Sequence, residues 1–302
     1  MPNTLAHMGA QALITRGMIA RADLGWIWLG VLLPDLPWIA QRAIKLLPVS
    51  IDPIDLRLYA VVQSTLLFCL GAAAGVALLS ARPGRVFSIL ALGSVLHLLL
   101  DATQTKWANG VLLFAPVDWH IVNFGLYWPE TWPSYALSLL GLFYVAWAFA
   151  GSRPGGGTRP HLAASRKAAA CAIFGLYALG PLTLMPQAQA ADVHFAGTLG
   201  AVAERQGKAI EFDRARIEHL SDGSPVLAVW TGETLAVTGV AIPPDALLAS
   251  VKGRFVDATT VEVTALYTHA PGRRDLITWV GLGLILVWWL WTLTARRRKS
   301  GV

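Results

Sequence analysis

Apolar residues run in long, nearly unbroken stretches over most of this chain and in short alternating stretches over one region toward its C-terminal end. About twenty apolar residues in helical form cross a hydrocarbon core of ~30 Å. That pattern predicts membrane-crossing helices over residues 58–79, 86–103, 135–150, 168–185 and 276–293. A further apolar stretch, residues 24–40, is interrupted by Pro34-Asp35-Leu36-Pro37. Residues 5–20 form a shorter, less apolar helix candidate that carries His7 and ends at Arg16, Gly17 and Arg21. Between residues 191 and 275 the period falls to two. HFAGTLGAVAE, KAIEFDRARIEHL, SPVLAVWTG, LLASVKGRFVD and TTVEVTALYTHA, separated by Gly, Pro, Asp and Ser, read as five strands of a small β-domain.

The expected architecture is an α-helical polytopic membrane protein of about six to seven spans with an inserted all-β domain. Residues 1–150 make the membrane helical domain, 151–167 a Gly/Arg-rich linker, 168–190 a transmembrane helix, 191–275 the β-domain, and 276–302 a last transmembrane helix with a basic tail. Composition agrees: 55% of the 302 residues are hydrophobic, 14% are charged and the mean hydropathy is +0.54. The last two β-segments, VKGRFVD turning into TTVEVTALYTHA, resemble the closing strands of an OB-fold barrel, which has five strands. An OB-like domain here is expected to meet a glycan or an envelope protein. Phe195, Phe212, Trp230, Phe255 and Tyr267 are expected in its core rather than on a stacking platform.

The net charge of +6 does not call for nucleic acid, because the basic residues cluster beside apolar spans, as orientation signals do. Arg296, Arg297, Arg298 and Lys299 place the C-terminus in the cytoplasm. Arg82 and Arg85 place one loop there, and Arg153, Arg159, Arg166 and Lys167 a second. The segment from Arg166 to MPQAQAADVHF also has the form of an internal signal sequence, against which stands a plain transmembrane helix. Both readings export residues 191–275, to the periplasm of a bacterial inner membrane. Cys69 and Cys171 lie in apolar spans and support neither a disulfide framework nor a cysteine metal site.

Chemistry is expected where ionisable groups sit at membrane depth. In SVLHLLLDAT, His97 and Asp101 stand four residues apart and so share a helix face. Orientation brings Asp35, His97 and Asp101 to the outer side of the bundle, and His7 with them if the first helix enters from outside rather than lying in the inner interface; imidazole and carboxylate together suit a divalent metal, zinc first and manganese second. Asp35 and Asp101 are the candidate catalytic carboxylates. Gln63, Ser64, Asp118 and His120 are second-rank candidates, with Lys106 and Glu130 below them. Trp107, Trp119, Trp128 and Trp132 read more simply as an aromatic belt at the membrane–water interface.

PNTLAHMGAQAL, LGVLLPDLPWI and HLLLDATQTKWANGVLLFAPVDWHIVNFGLYWPE resemble the YdjM-like family of inner-membrane metal-dependent hydrolases over roughly the first half of the chain. The order His, Asp, His, His-x-x-x-Asp in that family is similar to the ligand order of zinc-dependent phospholipase C and P1 nuclease, which cut phosphoester bonds. His7, Asp35, His97 and Asp101 match it. Where that family carries a His followed by Ser, this chain has Gln63 and Ser64 in VVQSTLLF, and the later His-x-x-x-Glu of the soluble phospholipases is absent. The resemblance implies hydrolysis of an ester or phosphoester in a lipid or lipid-linked substrate. The substitution at Gln63 also fits a degenerate, non-catalytic member. The rival from another class is an envelope anchor presenting the β-domain to a partner; a transporter would need an inverted repeat, which the sequence lacks.

Overall fold

The computed structural model describes residues 4–151 and 163–300. Arg153 and Arg159 lie outside the described residues, and the side chains of Arg296, Arg297, Arg298 and Lys299 are likewise not described. Ten α-helices among the described residues comprise α1 (Thr4–Met18), α2 (Leu24–Leu32), α3 (Leu36–Ile44), α4 (Pro53–Gln63), α5 (Leu66–Leu78), α6 (Pro83–Thr103), α7 (Trp132–Gly151), α8 (Ala164–Ala190), α9 (Ala196–Gly200) and α10 (Arg273–Ser300). Four have helical segments long and apolar enough to cross a membrane: Pro83–Thr103, Trp132–Gly151, Ala164–Ala190 and Asp275–Thr294. Their outer faces carry exposed Leu140, Phe143, Trp147, Leu179 and Leu290, as expected of helices facing lipid.

The stretch expected to form one span over residues 58–79 is two helices. α4 and α5 meet at a 64° bend and together make a fifth span only if counted as one. Neither Pro nor Gly causes the break. Thr65 takes an extended conformation, and the Ser64 hydroxyl donates to the Val61 carbonyl at 2.9 Å, so local side-chain bonding replaces the helical ladder. α4 starts where Asp52 accepts from the Ile54 and Asp55 amides at 2.7 and 3.1 Å, with Pro53 at the first helical position. The 24–40 stretch is α2, one 3-10 turn at Leu33–Asp35, and α3, as its two prolines require.

Helices α1 and α7 approach until their backbones touch at Gly9 and Gly141. A Cβ on Gly141 would run into the Leu5 carbonyl, and one on Gly9 into the Gly141 backbone. Gly30 of α2 and Gly93 of α6 make a second close crossing. Small residues at helix contacts are how bundles pack in lipid, where burying apolar surface brings no gain. These crossings sink α1 into the bundle, with Met8, Ala12, Ile27 and Trp28 at its core.

The region 191–275 holds a closed five-stranded barrel, β1 (Ala209–His219), β2 (Pro225–Ala228), β3 (Thr234–Thr238), β4 (Leu248–Phe255) and β5 (Thr260–Thr268), in the order β1-β2-β3-β5-β4. Only β3 and β5 run parallel. Ile210, Phe212, Leu227, Val251, Phe255 and Val261 are completely buried inside it. Its strand content differs from the sequence expectation at two places. HFAGTLGAVAE is helical, because the Asp192 carboxylate accepts from the Thr198 amide and hydroxyl at 2.7 and 2.6 Å, closing a helical turn rather than a strand. The missing strand is TLAVT, β3, whose five residues are too short to show a period.

The barrel sits on the segment between α6 and α7. Trp128 stacks on Tyr267 at 3.8 Å, Ala108 N donates to the Glu211 carboxylate at 2.8 Å, and Lys252 lies over the Trp107 ring at 5.1 Å. Glu130 pairs with Arg214 and with His269 Nδ1. Trp107 and Trp128 therefore hold the barrel instead of forming an aromatic belt, while Trp119 is partly buried under the barrel-side linker and Trp132 is exposed.

Candidate metal centre

His7 enters from α1, Asp35 from the 3-10 turn after α2, and His97 and Asp101 from the far end of α6. The two imidazoles stack face to face, 4.0 Å between centroids and 10° between planes. His7 Nε2 lies 3.4 Å from one Asp101 oxygen, and His97 Nε2 lies 3.2 Å from Asp35 and 4.0 Å from the other Asp101 oxygen. One ligand atom from each of His7, His97 and Asp101 falls within 4.8 Å of the others, so the group could hold a metal ion. Both rings are completely buried, yet His7 Nε2, His97 Nε2 and one Asp101 oxygen make no hydrogen bond of acceptable geometry. Buried polar atoms are rarely left so. Several electron-pair donors converging without hydrogen bonds fit a cation with imidazole and carboxylate ligands. Behind the first ring, the Gln11 side-chain amide lies 3.3 Å from His7 Nδ1, and its oxygen has no other hydrogen-bond partner; with that oxygen turned to the ring it accepts the Nδ1 proton and leaves Nε2 as the electron-pair donor.

Asp35, His97 and Asp101 line a cavity of about 340 Å³ between the helical bundle and the barrel, with His7 packed behind them. Lys106, only 4% exposed, lines it and sits 3.5 Å from Asp101. Arg57 of α4 lines it too, with His194 from the linker before the barrel. The barrel contributes Asp213 and Arg214, which sit at a bulge in β1 where the register shifts between Phe212 and Ala215. Arg214 takes φ +57°, and a bulge of this kind re-aims side chains out of the strand. The Asp213 carboxylate accepts from the Asn109 amide and the Ser250 hydroxyl, 3.3 and 3.2 Å away. Ser250 continues to His269 Nε2 at 2.8 Å, tying the roof together. A second, apolar groove of about 480 Å³ between α3 and α10 shares Asp35, Trp38, Arg42 and Asp275 with the cavity and is otherwise lined by groups such as Ile39, Leu46, Trp279 and Leu282.

Four predicted residues, His7, Asp35, His97 and Asp101, thus stand at one place. Of the second-rank candidates, Ser64 lines the cavity, but its hydroxyl is spent on Val61. Gln63 turns away: its amide donates to the Tyr59 hydroxyl and the Tyr177 carbonyl, both at 3.1 Å. Asp118 and His120 are exposed on a different, open depression, where Asp118 accepts from the His120 amide at 2.8 Å. Lys106 belongs to the site and Glu130 to the barrel's mount. Sequence reasoning missed Arg57, His194, Asp213 and Arg214. Arg57 carried a usable signal, a lone cation within the apolar face of LRLYAVV. The barrel residues carried none, since nothing local marks which loop a strand will face.

Truncating Gln63 to Ala is expected to leave metal content unchanged and to cost about 1 kcal/mol of stability through the lost hydrogen bonds. Elemental mass spectrometry of the purified variant checks this; loss of metal would mean that Gln63 swings into the site.

Comparison with known proteins finds no matching family model, curated protein or solved structure.

Proposed function

We propose that the protein is a membrane-bound, divalent-metal-dependent hydrolase acting on an ester or phosphoester of a lipid or lipid-linked substrate, of the YdjM-like kind. The observation that carries this reading is the buried His7, His97 and Asp101 group, lacking hydrogen bonds at its inward-facing atoms and opening onto a cavity lined by Lys106 and Arg57. Zinc is the ion that two imidazoles and a carboxylate suit best, with manganese second. When bound, such an ion supplies Lewis acidity and water activation. The chain's own residues do the rest. Asp35, beside His97 but outside the three-residue group, is the carboxylate that takes a proton from attacking water. Lys106, paired with Asp101, and Arg57, farther along the cavity wall, make the lining positive toward an anionic phosphoryl ligand. The barrel roof excludes bulk water, and the adjoining apolar groove suits a hydrocarbon chain, so an amphiphile fits both compartments.

His7, Asp35 and His97 lie at the same end of the bundle, away from the end where Arg85 donates to the Ala20 carbonyl and Arg166 to the Ser80 carbonyl. The positive-inside rule then favours a cytoplasmic C-terminus, a site on the outer face of a bacterial inner membrane and a periplasmic barrel, with α1, the α2–α3 pair and the α4–α5 pair each crossing to make seven passes. The parallel closure of β3 on β5 supports an OB-type barrel. Its several bonds to the 104–131 segment favour a roof over the cavity more than a module offered to an envelope protein or glycan.

The test is metal content of the detergent-purified chain beside hydrolysis of short-chain phospholipid and lipid-linked phosphoesters. Near-stoichiometric zinc or manganese, activity abolished by a chelator and restored by the ion are expected. An ion-free protein that stays inert after reconstitution would overturn the hydrolase reading in favour of an anchor.

A further inference from the structure

Arg57 has a setting that metal binding does not explain. Two indole rings lie against its guanidinium, the centroid of Trp38 5.0 Å and that of Trp230 5.1 Å from the guanidinium carbon. Its Nε donates to His194 Nδ1 at 3.1 Å, and His194 in turn stacks on Trp38 at 6.0 Å between centroids. Burial, then the charges of Arg57 and Lys106, hold His194 well below the usual imidazole range, so the ring is neutral and its Nδ1 is free to accept. Among the described residues no carboxylate lies within ion-pair distance of Arg57. Asp213, on the same cavity, bonds Asn109 and Ser250. The two terminal amino groups of Arg57 have no protein acceptor among the described residues, and the side chain lines the cavity.

A guanidinium held by two indoles and an imidazole has already given up rotamer freedom, and since Asp213 acts on it only through space, with no carboxylate hydrogen-bonded to it, it presents a fork suited to a tetrahedral oxyanion. Three parts of the chain build this grip: α3 and α4 from the bundle, the linker at His194, and the β2–β3 turn at Trp230. Lys106 differs, since Asp101 already pairs with it beside the metal-capable group. The cavity therefore offers two places for anionic oxygen, one at the His7, His97 and Asp101 group and one at Arg57.

We propose that Arg57, held by Trp38, Trp230 and His194, binds a second phosphate of the ligand, so that the substrate is a lipid diphosphate whose hydrocarbon chain lies in the groove between α3 and α10. The proposal rests on the hydrolase reading for the word substrate but not for binding. The groove is assigned to the chain of the same ligand because Trp38 and Asp35 belong to both compartments.

The experiment titrates full-length protein in detergent, with its metal as purified, with farnesyl diphosphate in its cleavage-resistant methylene-bridged form, farnesyl phosphonate as the monophosphate, farnesol and methylene-bridged inorganic diphosphate, following tryptophan fluorescence, to which Trp38 and Trp230 contribute. Wild-type protein is expected to bind farnesyl diphosphate about tenfold or more tightly than the monophosphate, the scale of a charge-assisted pair of hydrogen bonds. Arg57→Gln should bring the diphosphate down to the monophosphate level, and Arg57→Lys, which keeps a cation beside the indoles and guards against a misfolded junction, should lose most of the preference. Both variants should keep wild-type metal content. Equal wild-type affinity for the two phosphates, or an Arg57→Gln preference like the wild type's, overturns the subsite. Inorganic diphosphate binding as tightly as farnesyl diphosphate overturns the lipid assignment. Diphosphate preference in a protein that never holds metal leaves the subsite standing and sinks the hydrolase; metal and hydrolysis without the preference do the reverse.

Discussion

Asp101→Asn is expected, on the hydrolase function proposed above, to empty the metal site and to lower hydrolysis about a thousandfold, roughly 4 kcal/mol of barrier. Asparagine keeps the shape of the side chain but loses the charge that faces both imidazoles and Lys106. The same change strands the Lys106 ammonium in a buried position, and a buried charge without its partner destabilises by about 3–5 kcal/mol. Metal loss and unfolding must therefore be separated. Adding Lys106→Met removes the stranded charge, so the double variant should recover thermal stability in detergent without recovering metal. Asp35→Asn makes the contrast: metal retained, hydrolysis down about a hundredfold, the usual contribution of a positioned base. Elemental mass spectrometry and initial rates on the same preparations read both. Full metal occupancy in Asp101→Asn would remove Asp101 from the ligand set.

Gly141→Leu is expected to lower stability by at least about 1–3 kcal/mol, the range for forcing side-chain atoms into a packed interior. The site is unusually unforgiving, because the obstacle is the Leu5 backbone carbonyl rather than a side chain that can rotate away. Since α1 also carries His7, pushing it off α7 should move the imidazole away from His97 and reduce metal occupancy, although residue 141 touches no ligand. Gly175→Ala is the control: nothing stands within 4 Å of a Cβ there, so thermal stability and metal content should both hold. If Gly141→Leu melts lower but keeps its metal, the position of α1 is not what brings His7 to the site.

Much of the ground plan was legible in the chain. The long apolar runs foretold the four helices able to cross a membrane, because a twenty-residue apolar stretch has few other stable fates in or near lipid. The i, i+4 spacing of His97 and Asp101 announced their common face, and the shift to period two marked the β-domain. These are properties of a segment and its immediate neighbours. Reading failed where the deciding contact was short or distant. The α4–α5 bend at Ser64 and Thr65 depends on one hydroxyl choosing a backbone carbonyl, and the helical turn after Asp192 on one carboxylate choosing Thr198.

By itself the sequence determined that this is a helical membrane protein with a β-domain between its last two long apolar helices, and that His7, Asp35, His97 and Asp101 are the ionisable groups whose burial needs explaining. Only the tertiary structure decided that the two imidazoles stack, that Gln63 faces Tyr177, and that the barrel closes over the cavity with Asp213 and Arg214 while Trp230 grips Arg57. Periodicity records which face of an element is apolar. It holds no record of which distant face will press against it; that follows from backbone approaches such as Gly9 on Gly141 and from the geometry of one β-bulge, which exist only once the chain has packed.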